Sequence, residues 1–129
     1  MDVPGASHVV RGGACTYAVD TKASVLGVSE SQLAATGPVN EQVARQMARG
    51  ARELFRADIG VSTTGVAGPG PADGFPAGTV HVACAHPAGE EHRLLHLDGE
   101  RAAVRAGAID AAIALVRDVL DFAGAQVGD

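Results

Sequence analysis

Tryptophan is missing from this 129-residue chain and aromatics make up only 3% of it, so a core drawn from its 47% of hydrophobic residues has to be built from Ala, Val, Leu and Ile. Positive charge is also scarce. Ten basic residues face fifteen acidic ones, and the net charge of −5 disfavours binding to nucleic acid while leaving room for a local pocket for one small phosphate. No apolar run approaches membrane-spanning length, and the N-terminus lacks the basic and apolar regions of a secretion signal. The resulting expectation is a cytoplasmic protein with no membrane partner. The two cysteines, Cys15 and Cys84, are compatible with one disulfide, but both sit in alternating apolar stretches typical of buried strands. Free buried thiols in a reducing compartment are expected. His81, His86, His92 and His96 cluster near Cys84, yet no C-x-x-C or H-E-x-x-H spacing occurs. A turn at Pro87-Ala88-Gly89 scatters these groups over two strands, so no metal site and no cofactor are expected.

The length fits one domain with a moderate core. Val9 to Tyr17 suits a strand interrupted at Gly12-Gly13, and Asp20 to Leu26 a short helix stopped by Gly27. Ser29 to Ala35 reads as another helix, with Ser29 and Gln32 able to form a capping box. Asn40 is the N-cap expected for the clearest early helix, where Val43, Ala44, Met47, Ala48, Ala51, Leu54 and Phe55 recur at helical spacing. Asp58 to Thr64 reads as a strand entering the Gly/Pro-rich stretch that ends at Gly78. Gly78 to His86 and Glu91 to Leu97 read as a hairpin, with Val80, Val82 and Cys84 alternating against His81 and Ala83. The last helix, Glu100 to about Phe122, carries Val104, Ala108, Ala111, Ala112, Leu115 and Val119 on one stripe. Helices separated by strands, without repeats or linker, imply a compact layered α/β domain over 1–123 and a disordered tail over 124–129.

Ser7 precedes Tyr17 by ten residues and Lys22 by fifteen. A hydroxyl nucleophile needs a base, and a lysine serves if burial keeps its amine neutral, which makes a serine amidohydrolase thinkable. Each residue also has an ordinary reading: Ser7 caps the turn after Pro4-Gly5, Lys22 is a solvated helix residue, and Tyr17 is half-buried with its hydroxyl wet.

In chain order, Asp2-Val3-Pro4-Gly5-Ala6-Ser7, Arg11-Gly12-Gly13, Tyr17, Lys22, Leu26-Gly27-Val28 and Gly37-Pro38-Val39-Asn40-Glu41 are followed by Thr64-Gly65-Val66-Ala67-Gly68-Pro69-Gly70, Gly78-Thr79-Val80 and Gly99-Glu100-Arg101. Together they resemble the CinA C-terminal domain family, whose characterised enzymes are nicotinamide-nucleotide amidases. The resemblance runs from Asp2 to about Phe122, and its most specific piece is the loop from Thr64 to Pro69. It implies a three-layer α/β/α fold, a small nucleotide as partner, and an acyl-enzyme reaction with Ser7 as nucleophile, Lys22 as base and Tyr17 relaying the proton. It also implies that Thr64, Gly65 and Gly68 hold the carboxamide or oxyanion, and that Arg101 grips the nucleotide's phosphate. Arg105, one turn later, is either its helper or a solvated charge. A homodimer is left open.

The sequence departs from the family's pattern at Ala18-Val19, where Ser-Asn is usual, and at Glu100, where Asp is usual. The family's opening helix, strand and Thr-Ala-Glu-Ser-Cys-Thr-Gly-Gly loop lie upstream of the residues seen here, and without them weak stability and weak activity are expected. Two further readings therefore stand beside the amidase. One is a non-catalytic nucleotide-binding or interaction module, since larger proteins bearing this domain have a competence and DNA-damage association. The other is an unstable remnant without function.

Overall fold

The computed structural model describes residues 2–127, with side chains as far as Phe122. The first two long helices are α1 (Val19–Leu26) and α2 (Glu30–Thr36). Gly27 ends α1 at φ 72, a left-handed conformation that favours glycine, and its N–H returns to Ala23 O. Ser29 caps α2 by accepting from Gln32 N at 3.2 Å, but the other half of the expected capping box comes from elsewhere. Ser29 N–H donates to Gln46 Oε1 at 2.8 Å, so the next helix closes the cap and ties the two together.

That helix is α3 (Glu41–Leu54), capped by Asn40. Asn40 Oδ1 accepts from Val43 N at 2.9 Å, and Nδ2 donates to Thr36 Oγ1 and Gly37 O. One side chain thus satisfies an orphan helix donor and pins the preceding turn. Asn40→Ala is expected to lower unfolding free energy by about 1–2 kcal/mol, at the upper end for a lost cap. Urea titration checks it.

Three strands follow, β1 (Gly60–Gly65), β2 (Thr79–His86) and β3 (Gly89–His96), antiparallel in the order β1-β2-β3. The chain closes with α4 (Arg101–Val127). On one face of the sheet Val80, Val82 and Cys84 pack with Val104, Leu115 and Val119 of α4. On the other, Ala83 and Ala85 meet Ala44 and Ala48 of α3. These are the three layers expected from the sequence. The alternation along β2 sorts residues between two apolar layers rather than between core and water, which leaves Val82, Ala83 and Cys84 at 0% exposure. Burial pushes the Cys84 thiol up to about 11, with the Glu91 carboxylate adding to it.

Small residues set how closely the layers approach. A Cβ on Gly60 would stand 2.1 Å from Ala48 O, and one on Gly50 1.8 Å from Leu26 O, so backbone lies against backbone at both places. Leu26, Val28, Val43 and Met47 form the cluster that docks α1 on α3.

The N-terminal segment differs from the sequence expectation. Ala6–His8 is one 3-10 turn, and among the described residues Val9 to Tyr17 pairs with no strand. It is held instead at the end of α3: Arg11 Nε donates to Phe55 O at 2.5 Å, and Gly12 lies where a Cβ would come within 2.6 Å of the Phe55 ring. An extended segment without ladder partners buries few side chains, and only Thr16 is buried between Val9 and Tyr17. Cys15 is therefore exposed, not buried as expected, and both cysteines are free. α4 is described to Val127, so the tail expected over 124–129 falls on helical backbone whose side chains are not described and, for 128–129, outside the described residues.

Candidate active site

Ser7 sits in the 3-10 turn that Gly5 opens at φ 87, and it is exposed. With Val3, Gly5, Val10, Arg11 and Gly12 it lines an open concavity of about 500 Å³. Lys22 has the opposite environment. At 8% exposure it is buried on the inner side of α1, where Nζ donates to Thr16 O at 2.8 Å and lies 3.5 Å from Thr16 Oγ1. Burial lowers the Lys22 pKa from its ordinary value, against a smaller opposing pull from Cys15. The amine is thus biased toward the neutral form that a base requires. It is not the solvated helix residue of the ordinary reading.

Tyr17 follows the residue that anchors Lys22, but it is 84% exposed, so a half-buried ring is also ruled out. Among the described residues no side-chain hydrogen bond joins Ser7, Tyr17 and Lys22 to one another. Lys22 and Thr16 form a fixed unit, with Tyr17 adjoining in sequence and Ser7 on the turn at the other end of the same exposed segment.

Thr64 is buried on the α3 face of β1, and its hydroxyl donates to Pro38 O at 2.7 Å. That bond commits its proton and leaves the oxygen as an acceptor. Gly65 follows, where a Cβ would stand 2.5 Å from Thr79 O. The loop is closed at its neck by Val66 N–H to Thr79 O and Gly78 N–H to Val66 O, at 2.8 and 2.7 Å. Gly68 has φ 87, and its carbonyl accepts from Arg101 Nη1 at 2.8 Å. The first turn of α4 and the glycine loop are therefore joined by a residue whose side is otherwise exposed, while Arg105 is exposed one turn on.

Sequence reasoning missed Thr16 and the Pro38 carbonyl, both contributed by backbone whose position no local pattern reveals. It also missed a histidine pair. The hairpin that separates His81 from His92 in sequence brings Nδ1 of the first within 2.9 Å of Nε2 of the second. Among the described residues no group of three or more His, Cys, Asp or Glu is placed to hold a metal ion.

The family model described as the CinA C-terminal domain matches residues 1–120. A CinA-like protein of Frankia casuarinae is 47% identical over 119 residues, which is 92% of this chain and 28% of that protein. A putative competence-damage inducible protein of Desulforamulus reducens is 40% identical over 92% of this chain and 29% of its own length. The chain thus spans less than a third of these curated relatives. Among solved structures, the competence/damage inducible protein CihA from Agrobacterium tumefaciens superposes with a TM-score of 0.85 at 35% identity, over 90% of this chain and 72% of that one. A CinA superfamily protein from Escherichia coli gives a TM-score of 0.76, also at 35% identity, over 81% and 61%.

Proposed function

This chain belongs to the CinA C-terminal domain family, and from that premise we propose that it is a nicotinamide-nucleotide amidase, converting nicotinamide mononucleotide and water to nicotinic acid mononucleotide and ammonia. Ser7 Oγ attacks the carboxamide carbon as its proton passes to Lys22, directly or by way of Tyr17. The C–N bond breaks, the amide nitrogen leaves as ammonia with that proton, and water then hydrolyses the ester on Ser7. The observation that carries the reading is the buried Lys22, with an amine pulled below its ordinary pKa, five residues after an exposed tyrosine and fifteen after an exposed serine. Ammonia release from nicotinamide mononucleotide by the parent chain, and its loss in Ser7→Ala with nucleotide binding kept, is the test.

Arg101 is the residue for the phosphate. It stands beside the glycine loop, and one N–H already fixes the guanidinium on Gly68 O, which prepares the rest of the group for a charged partner. A charged hydrogen bond contributes about 1.5–3 kcal/mol, so Arg101→Ala should weaken mononucleotide binding about ten- to a hundredfold. Calorimetry with the phosphate-free nucleoside should show little change. Equal losses for both ligands would move Arg101 out of the phosphate site.

The second reading, a nucleotide-binding module without turnover, is favoured by one observation. Tyr17 is 84% exposed, and Ser7 shares no hydrogen bond with Lys22 among the described residues. Binding without ammonia release would select it.

A further inference from the structure

Three side chains that the proposed reaction does not use meet where the first turn of α3 crosses the β2–β3 hairpin. The Glu41 carboxylate is held at Oε2 by Arg45 Nε at 2.8 Å and presents Oε1 to His92 Nδ1 at 3.6 Å. His92 Nε2 in turn lies 2.9 Å from His81 Nδ1, with the two rings stacked at 5.1 Å between centroids and 28° between planes. His81 is 8% exposed.

The charges favour one order of protons along the row. The Glu41 carboxylate, 3.6 Å away and able only to accept, favours the His92 tautomer with its hydrogen on Nδ1 and a bare Nε2. The bond across the pair is then donated by His81 Nδ1–H, which leaves a lone pair on His81 Nε2. That nitrogen shares no hydrogen bond with the described residues, and it is not among the partnerless atoms sealed from solvent. It is the open end of a carboxylate–imidazole–imidazole row.

We propose that Glu41, His92 and His81 form a one-proton store that couples pH to the packing of α3 on the sheet. The first proton enters at His81 Nε2. Its charge is answered through His92 by Glu41, and no bond breaks. A second proton has to sit on His92 Nε2, where it would face His81 Nδ1–H, so the pair separates and the hairpin loosens from the first turn of α3.

The charged surroundings suit a store that is empty at neutral pH. Burial lowers the pKa of both histidines; for His81 the neighbouring His92 and His96 also oppose charging, and for His92 Arg45 does. Glu41 raises both, and its own carboxyl is held low first by the Arg45 hydrogen bond and then by His92. Glu90 lies beyond Arg45, 3.8 Å from it, and is engaged with Arg49 at 2.9 Å. From β1 the neighbour is Thr64, which pairs in register with His81 and does not titrate in this range. Because the folded pKa values lie below the ordinary His value of about 6.5, the unfolded chain binds more protons, and stability present above that pH is lost as pH falls. Glu41 follows the Asn40 cap, and Pro38 accepts the Thr64 hydroxyl, so the change reaches the strand end that leads into the glycine loop.

A ring-nitrogen NMR titration of the whole chain tests the store. His81 and His92 should titrate in two coupled steps, the first at His81 Nε2, with hydrogen-exchange protection of Val43 and Ala44 lost only at the second. Glu41→Gln should lower the first step by about one pH unit, because it removes an opposite charge close to the pair. His92→Gln keeps an acceptor for His81 and should reduce its titration to a single step. Independent titration of the two rings at ordinary values, or a Glu41→Gln variant with both steps unmoved, would overturn the proposal.

Discussion

Lys22→Arg is expected to lower kcat for ammonia release about 10²–10⁴-fold, the range carried by one positioned acid–base group, with nucleotide affinity largely kept. A guanidinium stays protonated throughout the working pH range and cannot take the serine proton. The buried Lys22 amine can, because desolvation lowers its pKa from 10.5. The sign of the pH dependence follows. The neutral fraction grows as pH rises, so parental kcat should climb through the folded pKa of Lys22, which lies under its ordinary value, and that limb should vanish in the arginine variant. Linkage runs the same way: below the unfolded pKa the unfolded chain holds more protons, so burial of this amine costs stability at neutral pH and the cost falls as pH rises. An arginine variant with parental kcat would leave Lys22 as a source of charge alone.

Gly50→Ala should be strongly damaging for a single added methyl. On propensity alone, alanine in a helix interior gains up to about 1 kcal/mol over glycine. At this position the new Cβ would stand 1.8 Å from Leu26 O and 2.7 Å from Leu26 C, where only backbone could give way. Overpacking against a fixed neighbour costs about 1–3 kcal/mol and sometimes more, so a net loss of about 3 kcal/mol is expected, with a Tm lower by roughly 10 °C. Because Leu26 docks the helix that carries Lys22, ammonia release should fall as well. Gly13→Ala is the control, since a Cβ there meets nothing within 4 Å. A Gly50→Ala variant that melts with the parent would show that α1 is not seated this tightly.

Local signals made much of the fold legible. Asn40 and Ser29 cap the helices they were expected to cap, because a short polar side chain before an apolar-periodic run has one favourable use. The stripe of α4 and the alternation of β2 fixed which residues meet, although not that both faces of β2 would be covered. Val9 to Tyr17 misled because a strand-like apolar pattern does not make a strand; hydrogen-bond partners do, and among the described residues no strand pairs with it. The same distance hid the site's supports: Thr16 reaches Lys22 by a backbone carbonyl, and Thr64 bonds to Pro38 across 26 residues. The histidine pair was within reach. A hairpin turning at Pro87-Ala88 sets Ala83 opposite His92 and His81 opposite Leu94, which makes His81 and His92 diagonal neighbours on one face.

The proposed chemistry requires an ester on one serine. Mixing the chain with nicotinamide mononucleotide, quenching in acid within the first turnover, and mapping the digest by mass spectrometry reads that bond. The expected result is a nicotinic acid mononucleotide adduct on the peptide containing Ser7, formed together with ammonia and missing from Ser7→Ala. Ammonia release without that adduct, or an adduct that persists in Ser7→Ala, would contradict the assignment of Ser7 as the nucleophile.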